Sequence, residues 1–245
     1  EALPHLIMSM RITEHLISSE ILAAPRRARV HHDDTGMAKD CLLWMDGEIY
    51  SGRVKAPDII EEAHTSGALP AFTCVYLPNE SQLGRHADYT CCETFASFLA
   101  HDLPGWVERE IGPFERFYLC GLSLSGLQAI FTALSHSGIF AGVLAQSPSA
   151  WWRDEWLASA LASFENSGQR LWLSVGSSEL QENLTHAPTS LHQKTSQIAS
   201  VRRLAQEMTR VGHTVHLHEF DGGHDPACWG EELTGALGWL LGSEG

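Results

Sequence analysis

The chain has 245 residues, 44% of them hydrophobic and 19% charged, which is enough apolar content for one sizeable core and an ordinary length for one domain over residues 1–245. Lys plus Arg number 16 against 30 Asp plus Glu, a formal charge of −14, and this opposes nucleic acid as a partner because such binding rests on basic side chains that neutralise phosphates. No apolar run approaches the roughly 18 residues of a membrane span, so a soluble protein is expected.

The chain opens at Glu1 instead of a methionine, which leaves room for a trimmed tag, signal or anchor ahead of it. Its cysteines, Cys41, Cys74, Cys91, Cys92, Cys120 and Cys228, lack the paired C-x-x-C spacing of a metal site. Cys41, Cys74 and Cys120 fall in apolar runs and read as buried thiols, which favours a reducing, cytoplasmic compartment. A periplasmic or secreted form with one or two bridges is the alternative if a signal has been removed.

In chain order, Arg11 to Ser19 and Arg26 to His32 read as two polar strands at a sheet edge. Cys41-Leu-Leu-Trp-Met45 is a buried strand stopped by Asp46-Gly47-Glu48. A glycine turn at a strand's carboxyl end frees backbone N–H groups, so the Glu48 N–H is a candidate oxyanion donor, with an ordinary strand-ending turn as the other reading. Pro57 to His64 reads as a helix with proline in its first turn, and Pro70 to Leu77 as the next strand. Pro78 to Tyr89 reads as a polar loop holding Arg85, His86 and Asp88, with Arg85 a substrate or loop clamp through a pair with Asp88. Cys92 to Glu110 is mainly helical, interrupted at Pro104-Gly105.

Tyr118-Leu-Cys-Gly-Leu-Ser-Leu-Ser-Gly-Leu127 is an apolar strand that breaks at Gly121, turns over Ser123 and restarts as a helix to about His136. A serine in such a strained strand-to-helix turn requires small residues two before and two after it, and Gly121 and Ser125 meet that steric demand. Ser125 is the poorer nucleophile candidate, its own neighbours at those offsets being Ser123 and Leu127. A Ser/Gly turn without chemistry is the bland alternative. Ala141 to Gln146 is the next strand, ending in Ser147-Pro-Ser-Ala-Trp-Trp152, where Trp151 and Trp152 are either core aromatics or, with Arg153 beside them, a wall for an aromatic ligand.

Arg170 to Val175 is a further strand with Gly176-Ser-Ser-Glu179 at its end, and Leu180 to Ser196 reads as a loop or mobile lid, about 177–196 in all. Ile198 to Val211 carries a helical apolar stripe. In the following strand His216 and His218 share one face, more simply an exposed face than a metal site. That strand ends at Asp221-Gly-Gly-His-Asp225, and Trp229 to Leu241 closes the chain as an amphipathic helix.

Strands alternating with helices imply a mostly parallel sheet flanked on both faces. Ser123, Glu179 and His224 each follow a strand, in the order serine, acid, histidine of an α/β-hydrolase fold. A serine hydroxyl is a weak nucleophile until an imidazole takes its proton, and a carboxylate fixes the imidazole's tautomer and stabilises its charged form. Glu182 is the reserve for the acid, and the Leu124 N–H, just past the serine, is the other candidate oxyanion donor.

Leu42-Leu-Trp-Met-Asp-Gly-Glu48, the Gly121–Gly126 elbow, Gln146-Ser-Pro-Ser-Ala-Trp-Trp152 and Asp221-Gly-Gly-His-Asp-Pro-Ala-Cys-Trp229 resemble the catalytic domain of enterochelin (enterobactin) esterases in the esterase D group. The resemblance implies Ser123 as nucleophile, His224 as base, Glu179 as acid, and Arg85 with Asp88 as an Arg-x-x-acidic loop near an iron-chelate pocket. It implies hydrolysis of the seryl esters of a tri-catecholate trilactone, with a ferric catecholate siderophore as the small-molecule partner and no cofactor. Trp151 and Trp152 would stack on catechols, and Arg85 and Arg153 would offset the anionic chelate. Two features depart from the family: the amino-terminal substrate-binding domain of the long esterases has no counterpart, and Ser125 stands where the family has glycine. Another natural-product carboxylesterase, a thioesterase or acyltransferase, or a silent siderophore-binding module are the competing functions.

Overall fold

The computed structural model describes residues 11–166 and 168–242. Eight strands form one sheet in the order β1-β2-β4-β3-β5-β6-β7-β10, with β1 Arg11–Ile17, β2 Arg26–His32, β3 Asp40–Met45, β4 Thr73–Leu77, β5 Arg116–Leu122, β6 Phe140–Gln146, β7 Arg170–Gly176 and β10 Thr214–Phe220. β1 and β2 are antiparallel, as is the pair β2 and β4, and every later pairing is parallel. Among the described residues two further strands, β8 Leu184–His186 and β9 Leu191–Gln193, form a separate antiparallel pair.

Strands buried on both faces explain the near-continuous apolar runs, since successive residues point to opposite sides of the sheet. Leu43, Val75, Leu119 and Val143 pack on one face, and Leu42, Cys74, Tyr118 and Leu144 on the other. The first face is covered by α4 Glu93–Ser97, α5 Leu103–Glu110, α6 Ser123–Ser135, α7 Trp152–Ala160 and α8 Gln197–Arg210. α2 Ala56–Ser66 and α9 Pro226–Leu241 cover the second, next to a helical turn α1 Gly47–Ile49 and a π-helical turn over Tyr50–Val54.

Several expectations change in detail. The segment read as the polar loop Pro78 to Tyr89 contains α3 Gln82–Tyr89, capped by the Ser81 hydroxyl, which accepts the Gly84 N–H at 3.0 Å, and anchored by the buried Tyr89. Pro104 does not break the helical path: the π-helical turn Phe98–Asp102 runs into α5 with helical backbone angles at Asp102 and Leu103, and Pro104 is the second residue of α5. α7 starts at the second of the two tryptophans, where no helix was expected, and is kinked over Arg153, Asp154 and Glu155, whose φ angles are positive. His216 and His218 are half-buried: His216 stacks on Trp172 at 4.2 Å between ring centroids, and His218 lies 5.6 Å from the same ring.

β2 is more buried than a polar edge strand would be, because β1 outside it takes the edge. His31 is 4% exposed, its ring edge-on to Tyr76 at 5.1 Å. Burial first, then the charge of Arg29, pushes its pKa down to about 4 from 6.5. The unfolded chain therefore binds a proton near pH 6.5 that the native state refuses until about pH 4, so stability falls as the pH falls through that window. We expect His31→Phe to remove part of this slope, on the order of 2 kcal/mol near pH 4.5. Urea midpoints of parent and variant at pH 7.5 and 4.5 check this, and parallel pH profiles would refute it.

Candidate active site

Parallel strands end on the same edge of the sheet, and open α/β sheets bind ligands just beyond those carboxyl ends. β5, β6, β7 and β10 are successive neighbours, with Leu122 opposite Gln146, Gln146 opposite Ser174, and Gly176 opposite Phe220. The residues that follow them, Ser123, Ser147, Glu179 and His224, therefore emerge together.

Ser123 sits at φ 54°, in the left-handed region that a non-glycine residue enters only when its surroundings hold it there. The turn is sharp enough that a Cβ on Gly121 would lie 2.3 Å from the Ser125 carbonyl oxygen, which is why position 121 has no side chain. Ser123 Oγ has Ser149 Oγ as its hydrogen-bond neighbour at 3.5 Å. His224 shares the cavity with Ser123 without a hydrogen bond to it, a contact that catalytic serines often tighten only when substrate arrives.

Glu179 is buried and accepts three hydrogen bonds: from the Ser147 hydroxyl at 2.6 Å, the Gly176 N–H at 2.8 Å and His224 Nδ1 at 2.7 Å. Burial works against its charged form, but the bond and charge of His224, with the Ser147 and Gly176 donors, outweigh burial and hold its pKa below the usual carboxylate range. Because Nδ1 of His224 is taken by the carboxylate, Nε2 is the nitrogen left to exchange a proton. The Trp229 indole donates to Ser147 Oγ at 3.1 Å and stands edge-on to the His224 ring at 4.9 Å, so one tryptophan steadies both ends of the pair. The Glu179 and His224 loops are bound directly: the Ser178 N–H donates to the Gly222 carbonyl at 2.8 Å, and a Cβ on Gly176 would lie 2.4 Å from that oxygen. Glu182 is exposed and makes no such contact, so of the two acid candidates it is Glu179 that meets the histidine.

A cavity of about 730 Å³ opens over these groups. Ser123, Leu124, Glu48, Glu179 and His224 line it, as do Arg85 and Trp151. Leu124 and Glu48 are each the second residue of a helix, α6 and α1, where backbone N–H groups have no intrahelical acceptor. Trp151 is buried, its indole donating to Gln197 Oε1 at 2.6 Å and its ring stacked on His186 of β8 at 4.8 Å.

The structure does not bring Trp152 or Arg153 into the cavity. Trp152 packs into the core edge-on to Trp156 at 5.9 Å, and the Arg153 guanidinium covers its ring at 4.4 Å, where the backbone turns left-handed over Arg153, Asp154 and Glu155 (φ 48°, 53° and 63°). Nor does Arg85 pair with Asp88. Its guanidinium grips the Asp46 carboxylate at 2.7 and 2.6 Å, while Asp88, three residues on along α3, is held by Arg26 at 3.0 Å. Sequence reasoning passed over Asp46 as a turn residue, Ser147 as part of a Ser-Pro loop, and Arg53 and His186, which also line the cavity. Among these only Asp46 carried a sequence signal, an acidic residue ahead of the glycine that ends an apolar strand.

The mostly parallel eight-stranded sheet, with serine, acid and histidine loops at its carboxyl edge, is an α/β-hydrolase fold. The chain belongs to the esterase family: the family model, described as Esterase (putative esterase), matches residues 19–240. It is 26% identical over 221 residues to the iron(III) enterobactin esterase of Dickeya dadantii (strain 3937), a match covering 85% of this chain and 49% of that protein. It is 30% identical over 151 residues to the iron(III) salmochelin esterase of Escherichia coli O6:H1 (strain CFT073), covering 56% and 32%. The chain thus spans about a third to a half of the length of these relatives. Among solved structures, the enterobactin esterase of Shigella flexneri, crystallised in the presence of enterobactin, superposes with a TM-score of 0.81 at 21% identity, covering 95% of this chain and 59% of that one. The motif resemblance to enterochelin esterases and these relatives agree.

Gly121→Ala should damage the elbow, since the added Cβ meets backbone and not a movable side chain. A loss of about 1–3 kcal/mol of stability is expected from such overpacking. Thermal unfolding of the variant checks this, and an unchanged midpoint would contradict the tight crossing of β5 and α6.

Proposed function

We propose that this protein is a serine ester hydrolase that opens the ester bonds of a catecholate siderophore trilactone through an acyl-enzyme intermediate on Ser123. The observation that carries the reading is the 2.7 Å pair of His224 and Glu179 lining one cavity with a serine held at φ 54°. His224 Nε2 takes the Ser123 proton as Oγ attacks the ester carbonyl, and Glu179 keeps the imidazole oriented and stabilises its charged form. The Leu124 and Glu48 N–H groups receive the developing oxyanion, which free first-turn donors can do without reorganising. The imidazolium then protonates the departing seryl alkoxide, and a water activated by the same histidine releases the acyl group. The named substrates of the relatives, enterobactin and salmochelin, support a siderophore ester. Trp151 supports an aromatic ring in the cavity, and the hairpin of β8 and β9, which contributes His186 and Leu191 to the lining, supports a lid role for 177–196.

A second reading, a carboxylesterase for another natural product, gains from the position of Trp152 and Arg153 outside the cavity and from the engagement of Arg85 by Asp46. These placements leave fewer groups for a large anionic chelate than the motifs implied.

Product analysis by mass spectrometry, on a catecholate trilactone and on a small aryl ester, separates the two. Linear catechoyl-serine units formed faster than aryl ester is cleaved support the first reading, and aryl ester turnover alone supports the second. Ser123→Ala and His224→Ala should each lower kcat by at least roughly a thousandfold. Glu179→Gln should cost on the order of a hundredfold or more through loss of the imidazole's orientation. A folded Ser123→Ala variant within tenfold of the parent would exclude the acyl-enzyme.

A further inference from the structure

The residue at position 125 does more than fill a small space. Ser125 is fully buried, and its hydroxyl accepts the Leu122 N–H at 2.8 Å across the elbow while lying 2.7 Å from Asp46 Oδ2. The Leu122 carbonyl is also 2.8 Å away, but one hydroxyl proton serves one acceptor, and a carboxylate is the stronger. The hydroxyl thus ties the two residues that straddle Ser123 to each other and to Asp46.

Asp46 lies behind the other wall of the cavity, two residues before the lining residue Glu48. Its carboxylate is fully buried and receives the Arg85 fork, the Asn79 side-chain amide and the Ser125 hydroxyl. A buried carboxylate with all its partners in place is held in one position, and losing one donor leaves the charge poorly solvated. Its backbone is equally tied: it lies at φ 53°, its N–H donates to Tyr89 Oη at 3.2 Å, and its carbonyl accepts the Ile49 and Tyr50 N–H groups at 2.8 and 3.0 Å. Glu48 is two residues further on, inside the turn that this carbonyl closes. Side-chain position and backbone position at Asp46 are therefore linked, and the link runs from the elbow bearing Leu124 to the turn bearing Glu48.

From this geometry we infer that Asp46 and Ser125 are positioning residues that set the spacing of the Leu124 and Glu48 N–H groups, so that the oxyanion site is aligned by a buried hydrogen bond between its two halves. The inference rests on the serine hydrolase reading above. Neither residue touches the substrate. The effect falls on the transition state, where the oxyanion develops, and not on ground-state binding.

The test uses the full chain, with Ser125→Gly and Ser125→Ala as the main variants, because both keep the position small, and Asp46→Asn as the partner variant. On a small aryl ester, kcat should fall roughly tenfold or more in both Ser125 variants while KM stays within about threefold. The inhibition constant of an aryl boronic acid, which forms a tetrahedral adduct on the serine, should weaken in proportion to kcat/KM, whereas a non-reactive aryl amide analogue should bind as before. Asp46→Asn combined with Ser125→Gly should cost less than the two single losses multiplied. A Ser125→Gly enzyme with kcat within twofold of the parent, or boronate and amide affinities falling together, would overturn the positioning role. Ser123→Ala is assayed beside them: if it is silent, a normal Ser125→Gly enzyme defeats this inference alone, and if it is as active as the parent, the underlying hydrolase reading fails as well.

Discussion

Parallel pairing of β3, β5, β6, β7 and β10 brings every important loop to one edge of the sheet, and the site depends on this constraint. A parallel strand must be followed by a crossover, so the turn at its carboxyl end is free of the tight hairpin geometry that an antiparallel return would impose. Five such turns carry Asp46, Ser123, Ser147, Glu179 and His224. Their lateral order follows from strand order, and the contacts between neighbouring loops follow from register. Gly176 stands opposite Phe220, and so the loop with Glu179 meets the loop with His224.

The local geometry is set by polar groups that are buried and fully engaged. Glu179 is satisfied by one backbone and two side-chain donors, and Asp46 by three side chains, two from the segment after β4 and one from α6. Each carboxylate loses hydration on burial and recovers it only when its donors are in place, so each defines one arrangement of loops that hydrophobic packing alone would leave free to slide. The two differ in consequence. Glu179 faces a titratable partner at the cavity surface, whereas Asp46 faces Arg85, whose charge is permanent, and its neighbourhood stays the same whatever the protonation state of the site.

The cavity is built from unlike walls. One side is the aromatic surface of Trp151 with His186 laid on it, and another is formed by the polar turn around Glu48 and Arg53. In a chain of net charge −14, the arginines that reach this space matter for any anionic ligand, and their availability depends on what already holds them. Arg85 is engaged by a buried carboxylate, and Arg153 lies over the Trp152 ring outside the cavity.

The strand and helix alternation, the elbow and the order of Ser123, Glu179 and His224 are legible in the sequence, because these rest on local rules: apolar periodicity, glycine where the chain turns sharply, and chemistry-bearing residues at strand ends. Sequence reasoning misjudged α3, where the Ser81 cap and the buried side of Tyr89 outweigh a polar composition, and the half-burial of His216 and His218, which needs Trp172 and Trp239 from other segments. Which of two adjacent tryptophans faces the cavity is set by packing: Trp151 meets Gln197 and His186, whereas Trp152 meets Trp156, and residue type does not tell the two apart. The same holds for ion pairing. Arg85 and Asp88 are close in sequence, but Arg85 finds Asp46 from β3's end and Asp88 finds Arg26 from β2, because the sheet brings those carboxylate and guanidinium groups nearer than the helix does. A residue's type limits the bonds it can make, and the fold, by setting distance and burial, selects among them.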